Sequence, residues 1–166
     1  MKINRIDLYF VKIPLAENKP GFFQEKPFFL PSWIPGFRQS EVRFYLLKLT
    51  TDSGIEGYAA TTAMGGERKG LGDLLGNYLL GINPLDIRLV NQRIQEMSYL
   101  GMRNPWIDAA VWDIIGKIKK EPLWKILGGS GGHIYPYAST GSTHDHDPQY
   151  AGDIVKKRMD EGFRGI

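Results

Sequence analysis

Residues 41–61, EVRFYLLKLTTDSGIEGYAAT, contain two apolar, β-rich runs separated by a short polar segment. The first run covers 41–50, and the second extends from Ile55 to Thr61. The intervening residues, Thr51 to Gly54, are typical of a compact turn, because the glycine can adopt a positive φ. The stretch therefore predicts a β-hairpin.

A further strand is predicted ahead of the hairpin. Between residues 3 and 13, Ile6, Leu8 and Phe10 alternate with other residues, and Pro14 follows. Strict alternation is the pattern of a half-buried strand. The three strands together predict a small antiparallel sheet.

After the sheet, the apolar residues recur at helical spacing. Four helices are predicted, beginning near Leu71, after Asn83-Pro84, after Asn104-Pro105 and at Pro122. In each Asn-Pro pair, we expect the asparagine to cap the helix and the proline to occupy its first turn. Residues 1–127 are thus predicted to form an α+β domain.

A second module is predicted after the glycine-rich run GGSGG at 128–132. The run suits a hinge or tight link, because it is too short for a long tether. A predicted strand at 134–139 and a helix capped by Asp147 follow it. One parallel strand with one helix cannot bury both of its faces, so residues 128–166 are predicted to begin an incomplete TIM-type barrel.

The composition is that of an ordinary globular protein, with 42% hydrophobic and 23% charged residues among 166 and a net charge of +3. The basic residues are dispersed, which argues against nucleic-acid binding. Cysteine is absent, which excludes disulfides and thiolate metal ligands. The first residues lack the apolar core of a signal peptide, and no apolar stretch is long enough to span a membrane, so a cytoplasmic location is expected.

Six local strings occur along the chain in an informative order: LTTDSGIEGY at 49–58, LGINPLD at 80–86, AAVWDIIGK at 109–117, PLWKILGG at 122–129, PYAS at 136–139 and EGFRG at 161–165. With these strings, the sequence resembles the enolase superfamily, in its mandelate racemase and muconate lactonizing enzyme branch. The resemblance implies an α+β capping domain, a three-stranded antiparallel sheet followed by helices, joined to the beginning of a TIM-type (β/α) barrel.

The resemblance also implies a reaction in which a base removes the proton α to a carboxylate and Mg²⁺ stabilises the resulting enediolate. In the family, the base is typically a lysine of a Lys-x-Lys string, which is expected just after Ile166. The carboxylate metal ligands come from later strands. We therefore expect neither catalytic nor metal-binding residues within this chain, and we expect the chain alone to be inactive.

In the family, two loops of the capping domain close over the barrel and shape substrate choice. The first would be 16–39, which carries four prolines and the candidate substrate contacts Phe22, Phe23 and Trp33. Prolines stiffen such a loop, and aromatic rings supply apolar surface that excludes water. The alternatives are a loop folded onto the sheet and an oligomer contact.

The second loop would be 59–66, with Thr61, Thr62 and Met64 as candidate substrate contacts. Its alternative is a plain connection from strand to helix. Tyr137 and Ser139 lie where the first barrel strand would end, on the side of this fold that carries chemistry, and they complete the candidate substrate contacts.

Two further patterns are better explained without catalysis. His144-Asp145-His146 is typical of a polar loop that leads to the helix cap at Asp147. Asp108 and Asp113 would project about 140° apart on a helix, which is poor geometry for shared acid–base chemistry. Capping and interdomain hydrogen bonds are the expected roles of these two carboxylates.

The expected function is that of the N-terminal part of a Mg²⁺-dependent enzyme acting on a small carboxylate substrate. A racemase or epimerase, an acid-sugar dehydratase and a cycloisomerase all remain open. A homo-oligomer is expected, without nucleic-acid or membrane partners. The alternative is a non-catalytic module for oligomerisation or small-ligand binding.

Overall fold

The structure is a computed structural model that describes residues 1–14, 40–63, 70–99, 104–139 and 147–165. Three strands, β1 (Ile3–Pro14), β2 (Glu41–Thr51) and β3 (Glu56–Thr62), form one sheet in the order β1-β2-β3. β2 and β3 are antiparallel, and Leu47 lies opposite Ala59. The predicted hairpin and three-stranded sheet are therefore confirmed.

Five helices follow the strands in the described ranges. They are α1 (Leu71–Leu79), α2 (Ile87–Ser98), α3 (Trp106–Lys119), α4 (Leu123–Ile126) and α5 (Pro148–Asp160). The order of strands followed by helices agrees with the predicted α+β class.

The start of α2 differs from the prediction. The helix begins after Asp86, whose carboxylate accepts a hydrogen bond from the Leu89 N–H at 3.1 Å. Asn83 instead accepts from the Leu85 N–H at 3.1 Å and so closes a turn ahead of the helix. The prediction that Asn83 caps α2 was wrong, because Asp86 lies next to the free N–H groups of the first helical turn and satisfies one of them.

The core lies between one face of the sheet and helices α1 to α3. Its largest fully buried apolar side chains come from all of these elements: Ile3, Leu47, Leu49, Leu71, Leu75, Leu79, Val90, Met97, Ile107, Val111 and Ile114. On β2, the buried leucines alternate with partly exposed residues, as the period of a strand requires. Burial of each such side chain contributes roughly 1.5–3 kcal/mol.

β3 and α3 approach each other closely at Gly57. A Cβ atom at this position would lie 2.1 Å from the Ala110 carbonyl oxygen and 2.6 Å from Ile114 Cγ1. The obstacle includes helix backbone, which cannot move aside as a flexible side chain can. Gly57 is therefore required for the strand and the helix to approach this closely.

We predict that Gly57→Ala lowers the free energy of unfolding by about 1–3 kcal/mol or more, because the added methyl group overpacks the contact. Urea denaturation monitored by circular dichroism measures the loss. The matched control is Gly72→Ala in α1, where the nearest atom to a Cβ, Leu8 Cδ2, is 4.0 Å away. Because alanine favours helix, this control should be neutral or stabilising; equal losses in both variants would contradict the prediction.

The chain divides into two compact units. The first comprises Met1–Lys12 and Arg43–Gly131, and holds most of the sheet with α1 to α4. In the second, residues 13–14, 40–42, 132–139 and 147–165 are described, and they include the end of β1, the start of β2 and α5. The assignment of 1–127 to a capping domain and 128–166 to the start of a barrel stays a prediction.

The second unit contains less regular structure than the sequence predicts. Tyr137 forms a single parallel bridge with Gly165, and the Ala138 N–H donates to the Gly165 carbonyl at 2.9 Å. The predicted strand at 134–139 is therefore reduced to one bridge, because one paired residue does not make a ladder. The predicted cap is confirmed, since Asp147 accepts from the Tyr150 N–H at 2.8 Å.

Candidate functional site

The sheet topology brings both candidate loops to one end of the sheet. In the antiparallel order β1-β2-β3, β1 ends, β2 begins and β3 ends at the same side. The segment between β1 and β2 and the segment after β3 are therefore both anchored there. We call this side the loop-bearing end of the sheet.

An aromatic pair marks the loop-bearing end. The rings of Phe10 and Tyr45 are 5.1 Å apart between centroids and tilted by 42°. Lys12 Nζ lies 5.5 Å from the centroid of the Phe10 ring, within cation–π range. Tyr45 pairs with Thr61 in the register of β2 and β3. These aromatic and cationic residues were missed in the sequence, although alternation alone would have placed Phe10 and Lys12 on one face of β1.

Thr61 and Thr62 are the last two residues of β3 and lie side by side at the loop-bearing end. Thr61 is half-buried and shares a strand face with buried Ala59, whereas Thr62 is exposed on the other face. A ligand would therefore have to lie across the end of the sheet, rather than on one of its faces, to meet both hydroxyl groups. The two threonines are adjacent in sequence, but their side chains lie on opposite faces of β3.

The other candidate contacts have different outcomes. Phe22, Phe23, Trp33 and Met64 lie outside the described residues. Tyr137 and Ser139 belong to the second unit and are exposed. The Tyr137 side chain is 72% exposed, and its backbone forms the bridge to Gly165. The role of all these residues in substrate binding stays a prediction.

The sheet face opposite the core carries a connected row of charges. Arg5 Nη2 donates to Asp7 Oδ1 at 3.0 Å, and Lys48 Nζ lies 3.5 Å from Asp7 Oδ2. Lys48 Nζ also donates to Glu56 Oε1 at 3.2 Å, and the Tyr58 hydroxyl donates to the other oxygen of Glu56. Opposite charges thus alternate across all three strands.

This arrangement keeps both carboxyl groups ionised. The hydrogen bond from Arg5 lowers the pKa of Asp7, and the hydrogen bonds from Tyr58 and Lys48 lower the pKa of Glu56. The same contact with Glu56 raises the pKa of the Tyr58 phenol. A general base that acts at neutral pH needs a pKa near 7, whereas the pKa values of Asp7 and Glu56 are lowered. The charge row therefore suits a role in holding the sheet together rather than in proton transfer.

We predict that Lys48→Met destabilises the protein mainly between about pH 4 and pH 10. Asp7 and Glu56 have lowered pKa values in the folded state, so their stabilisation is present above about pH 4 and is lost as the pH falls through those lower values. The hydrogen bond with Glu56 is the main cause of the raised pKa of Lys48. Because Lys48 therefore stays charged, the stabilisation is present up to about pH 10. Urea denaturation at pH 7 and pH 2.5, each compared with wild type, measures this difference.

The control for this prediction is Lys125→Met, which removes a cation paired with one exposed carboxylate, Glu121, at 3.1 Å. An isolated exposed pair contributes little to stability. A Lys48→Met loss that is as large at pH 2.5 as at pH 7 would show that the electrostatic explanation is wrong.

The two carboxylates of α3 have separate partners. Asp108 Oδ2 accepts from Trp112 Nε1 at 3.0 Å, and burial raises the pKa of Asp108. Asp113 Oδ2 accepts from the Tyr58 N–H at 2.9 Å and from Lys117 Nζ at 2.7 Å. These bonds lie within the first unit, so the expectation of interdomain bonds was wrong for the contacts that the structure describes. Each carboxylate instead ties α3 to a local partner.

The described residues do not fit a magnesium site. Across the ranges that the structure covers, no three His, Asp or Glu side chains are grouped so that they could hold a metal ion. His144, Asp145 and His146 lie outside those ranges. Of the described helices, none has the length and apolar character required to cross a membrane.

Comparison with known proteins places this architecture within one family. The model of the mandelate racemase / muconate lactonizing enzyme N-terminal domain matches residues 25–128. The three-stranded sheet followed by helices matches the fold of that capping domain, which enolase-superfamily enzymes contain. The chain belongs to the mandelate racemase / muconate lactonizing enzyme family.

Individual relatives agree with this assignment. The cis-3-hydroxy-L-proline dehydratase of Roseibium aggregatum is 31% identical over 143 residues, which cover 78% of this chain and 35% of the relative. The N-succinyl-L-Arg/Lys racemase of Bacillus cereus is 25% identical over 100% of this chain and 43% of its own length. A solved enolase-superfamily member from Roseovarius nubinhibens ISM, complexed with magnesium, has a TM-score of 0.68 and 26% identity over 98% of this chain and 42% of its own. The chain thus spans less than half the length of these relatives.

Proposed function

We propose that this chain is the N-terminal part of a Mg²⁺-dependent enzyme that removes the proton α to the carboxylate of a small substrate. The observation that carries the proposal is the family match over residues 25–128. The similarity to a dehydratase and to a racemase supports an enzyme over the alternative of a non-catalytic module. Racemisation or epimerisation, dehydration and cycloisomerisation are the reaction types within the proposal.

In this proposal, the loop-bearing end of the sheet supplies the substrate-specificity lid. Its contacts would be Phe22, Phe23 and Trp33 from the first loop and Thr61, Thr62 and Met64 from the end of β3 and the second loop. The common anchoring of both loops at one side of the sheet supports this assignment. Tyr137 and Ser139 would add contacts from the first barrel strand.

The base and the Mg²⁺ ligands would be supplied by residues outside this chain. The share of its two named relatives that the chain spans, 35% and 43%, supports this. A homo-oligomer and a cytoplasmic location remain part of the proposal.

Solvent isotope exchange tests the proposed reaction. The complete protein that carries this sequence is incubated in D₂O with cis-3-hydroxy-L-proline, an N-succinyl-L-amino acid or an acid sugar, and deuterium at carbon α is measured by NMR. We expect exchange or product formation with at least one substrate class. Removal of Mg²⁺ by a chelator should slow the reaction by at least about a hundredfold, and added Mg²⁺ should restore it.

Two results would contradict the proposal. One is a rate that is unaffected by chelation and metal addition. The other is the absence of exchange and turnover with every α-proton carboxylate tested, when the protein is shown to be folded. The second result would favour the non-catalytic module.

A further inference from the structure

The outer edge of β3 is closed by two side chains of α3. The Tyr58 N–H donates to Asp113 Oδ2 at 2.9 Å, and Lys117 Nζ donates to the Glu56 carbonyl oxygen at 2.8 Å. Lys117 Nζ also donates to Asp113 Oδ2 at 2.7 Å, which links the two side chains to each other. We call the Asp113–Lys117 pair, bound to the β3 backbone in this way, the edge clamp.

The edge clamp substitutes for a neighbouring strand. An outer strand presents backbone N–H and C=O groups that are not paired within its sheet, and here one group of each kind is bound by a charged side chain. Hydrogen bonds to charged groups are roughly twice as strong as neutral ones. The Lys117 ammonium also lies 5.1 Å from the Tyr58 ring centroid, which adds a cation–π contact.

The clamp lies beside the close contact between β3 and α3. Gly57, between the two clamped residues, packs directly against the backbone of α3 at Ala110. On its other edge, β3 is paired with β2 from Glu56 to Thr62. β2 and α3 together thus set the direction of β3 and how closely it packs against the helix.

The clamped residues lie close to the end of β3. Thr61 is three residues beyond Tyr58, a distance of about 10 Å along a strand. A tilt of β3 at Tyr58 would therefore move Thr61 and Thr62 at the loop-bearing end. A displacement of about 1 Å takes a hydrogen bond of about 2.9 Å outside the usual range, which weakens the binding of a substrate that depends on it.

We propose that Asp113 and Lys117 are positioning residues that set the placement of Thr61 and Thr62 toward the substrate. This inference rests on the proposed function, in which the two threonines contact the substrate. Asp113 acts through the β3 backbone rather than on the substrate directly. Its Oδ2 atom already accepts hydrogen bonds from the Tyr58 N–H and from Lys117 Nζ. The inference extends the site to a helix that makes no substrate contact of its own in this proposal.

Substitutions in the complete protein test this inference. Asp113→Ala removes the acceptor, Asp113→Asn keeps an acceptor without the charge, and Lys117→Met keeps the aliphatic stem without the donor. The matched control is Glu121→Ala, which breaks another i,i+4 pair of similar exposure, 41% for Glu121 and 34% for Asp113, without touching a strand. Ile94→Val in α2 controls for a general loss of stability, because Ile94 is buried away from β3.

We expect Asp113→Ala to raise KM about tenfold while kcat stays within about twofold, which is the signature of lost substrate binding. Asp113→Asn should recover most of this loss, and Lys117→Met should fall between the two. Glu121→Ala and Ile94→Val should leave KM unchanged. Hydrogen exchange followed by NMR should show the Tyr58 amide, and the Thr61 amide that faces β2, exchanging about tenfold faster in Asp113→Ala than in the controls.

The two measurements separate the inference from the function on which it rests. Hydrogen exchange needs no substrate, so unchanged exchange at Tyr58 and Thr61 in both Asp113→Ala and Lys117→Met overturns the positioning role by itself. A KM equal to that of Ile94→Val overturns it as well. Absence of wild-type activity toward every α-proton carboxylate instead overturns the proposed function.

Discussion

The contact between Gly57 and the α3 backbone is the constraint on which the rest of the first unit depends. It requires a residue without a side chain, because a Cβ atom would lie 2.1 Å from the Ala110 carbonyl oxygen. The contact aligns β3 along α3, so that Asp113 and Lys117 reach the strand edge. Since β2 and β3 pair over seven residues, the position of one strand fixes that of the other. The loop-bearing end is therefore positioned by a contact deep in the core.

Charge in this unit is used mainly to hold secondary structure together. The row from Arg5 to Glu56 ties three strands together, and the edge clamp ties the sheet to a helix. The pKa values of Asp7 and Glu56 are lowered, which favours ionised carboxylates over a poised base. In the proposed enzyme, this part of the chain would select and enclose the substrate, and the proton transfer would belong to other residues.

Much of the fold could be predicted because its signals are local. Alternation in 41–61 and helical spacing after Leu71 indicate element types without any tertiary information. The cap of α2 was misassigned to Asn83, since Asn-Pro and Asp86 offer competing caps within three residues and only the chain geometry decides between them. The edge clamp could not be predicted, because Tyr58 and Asp113 are 55 residues apart. Thr61 and Thr62 could be named as candidates, but which of them lies on the core face depends on the register of β3.

The clamped edge of β3 also bears on how the protein avoids self-association. Exposed sheet edges recruit strands from other molecules through their free backbone groups. Asp113 and Lys117 already occupy the Tyr58 donor and the Glu56 acceptor on β3, and they place two charges where an incoming strand would have to lie. Desolvating those charges would cost more than the new backbone pairing returns. In the folded protein, the same two side chains therefore disfavour the pairing of another strand with this edge.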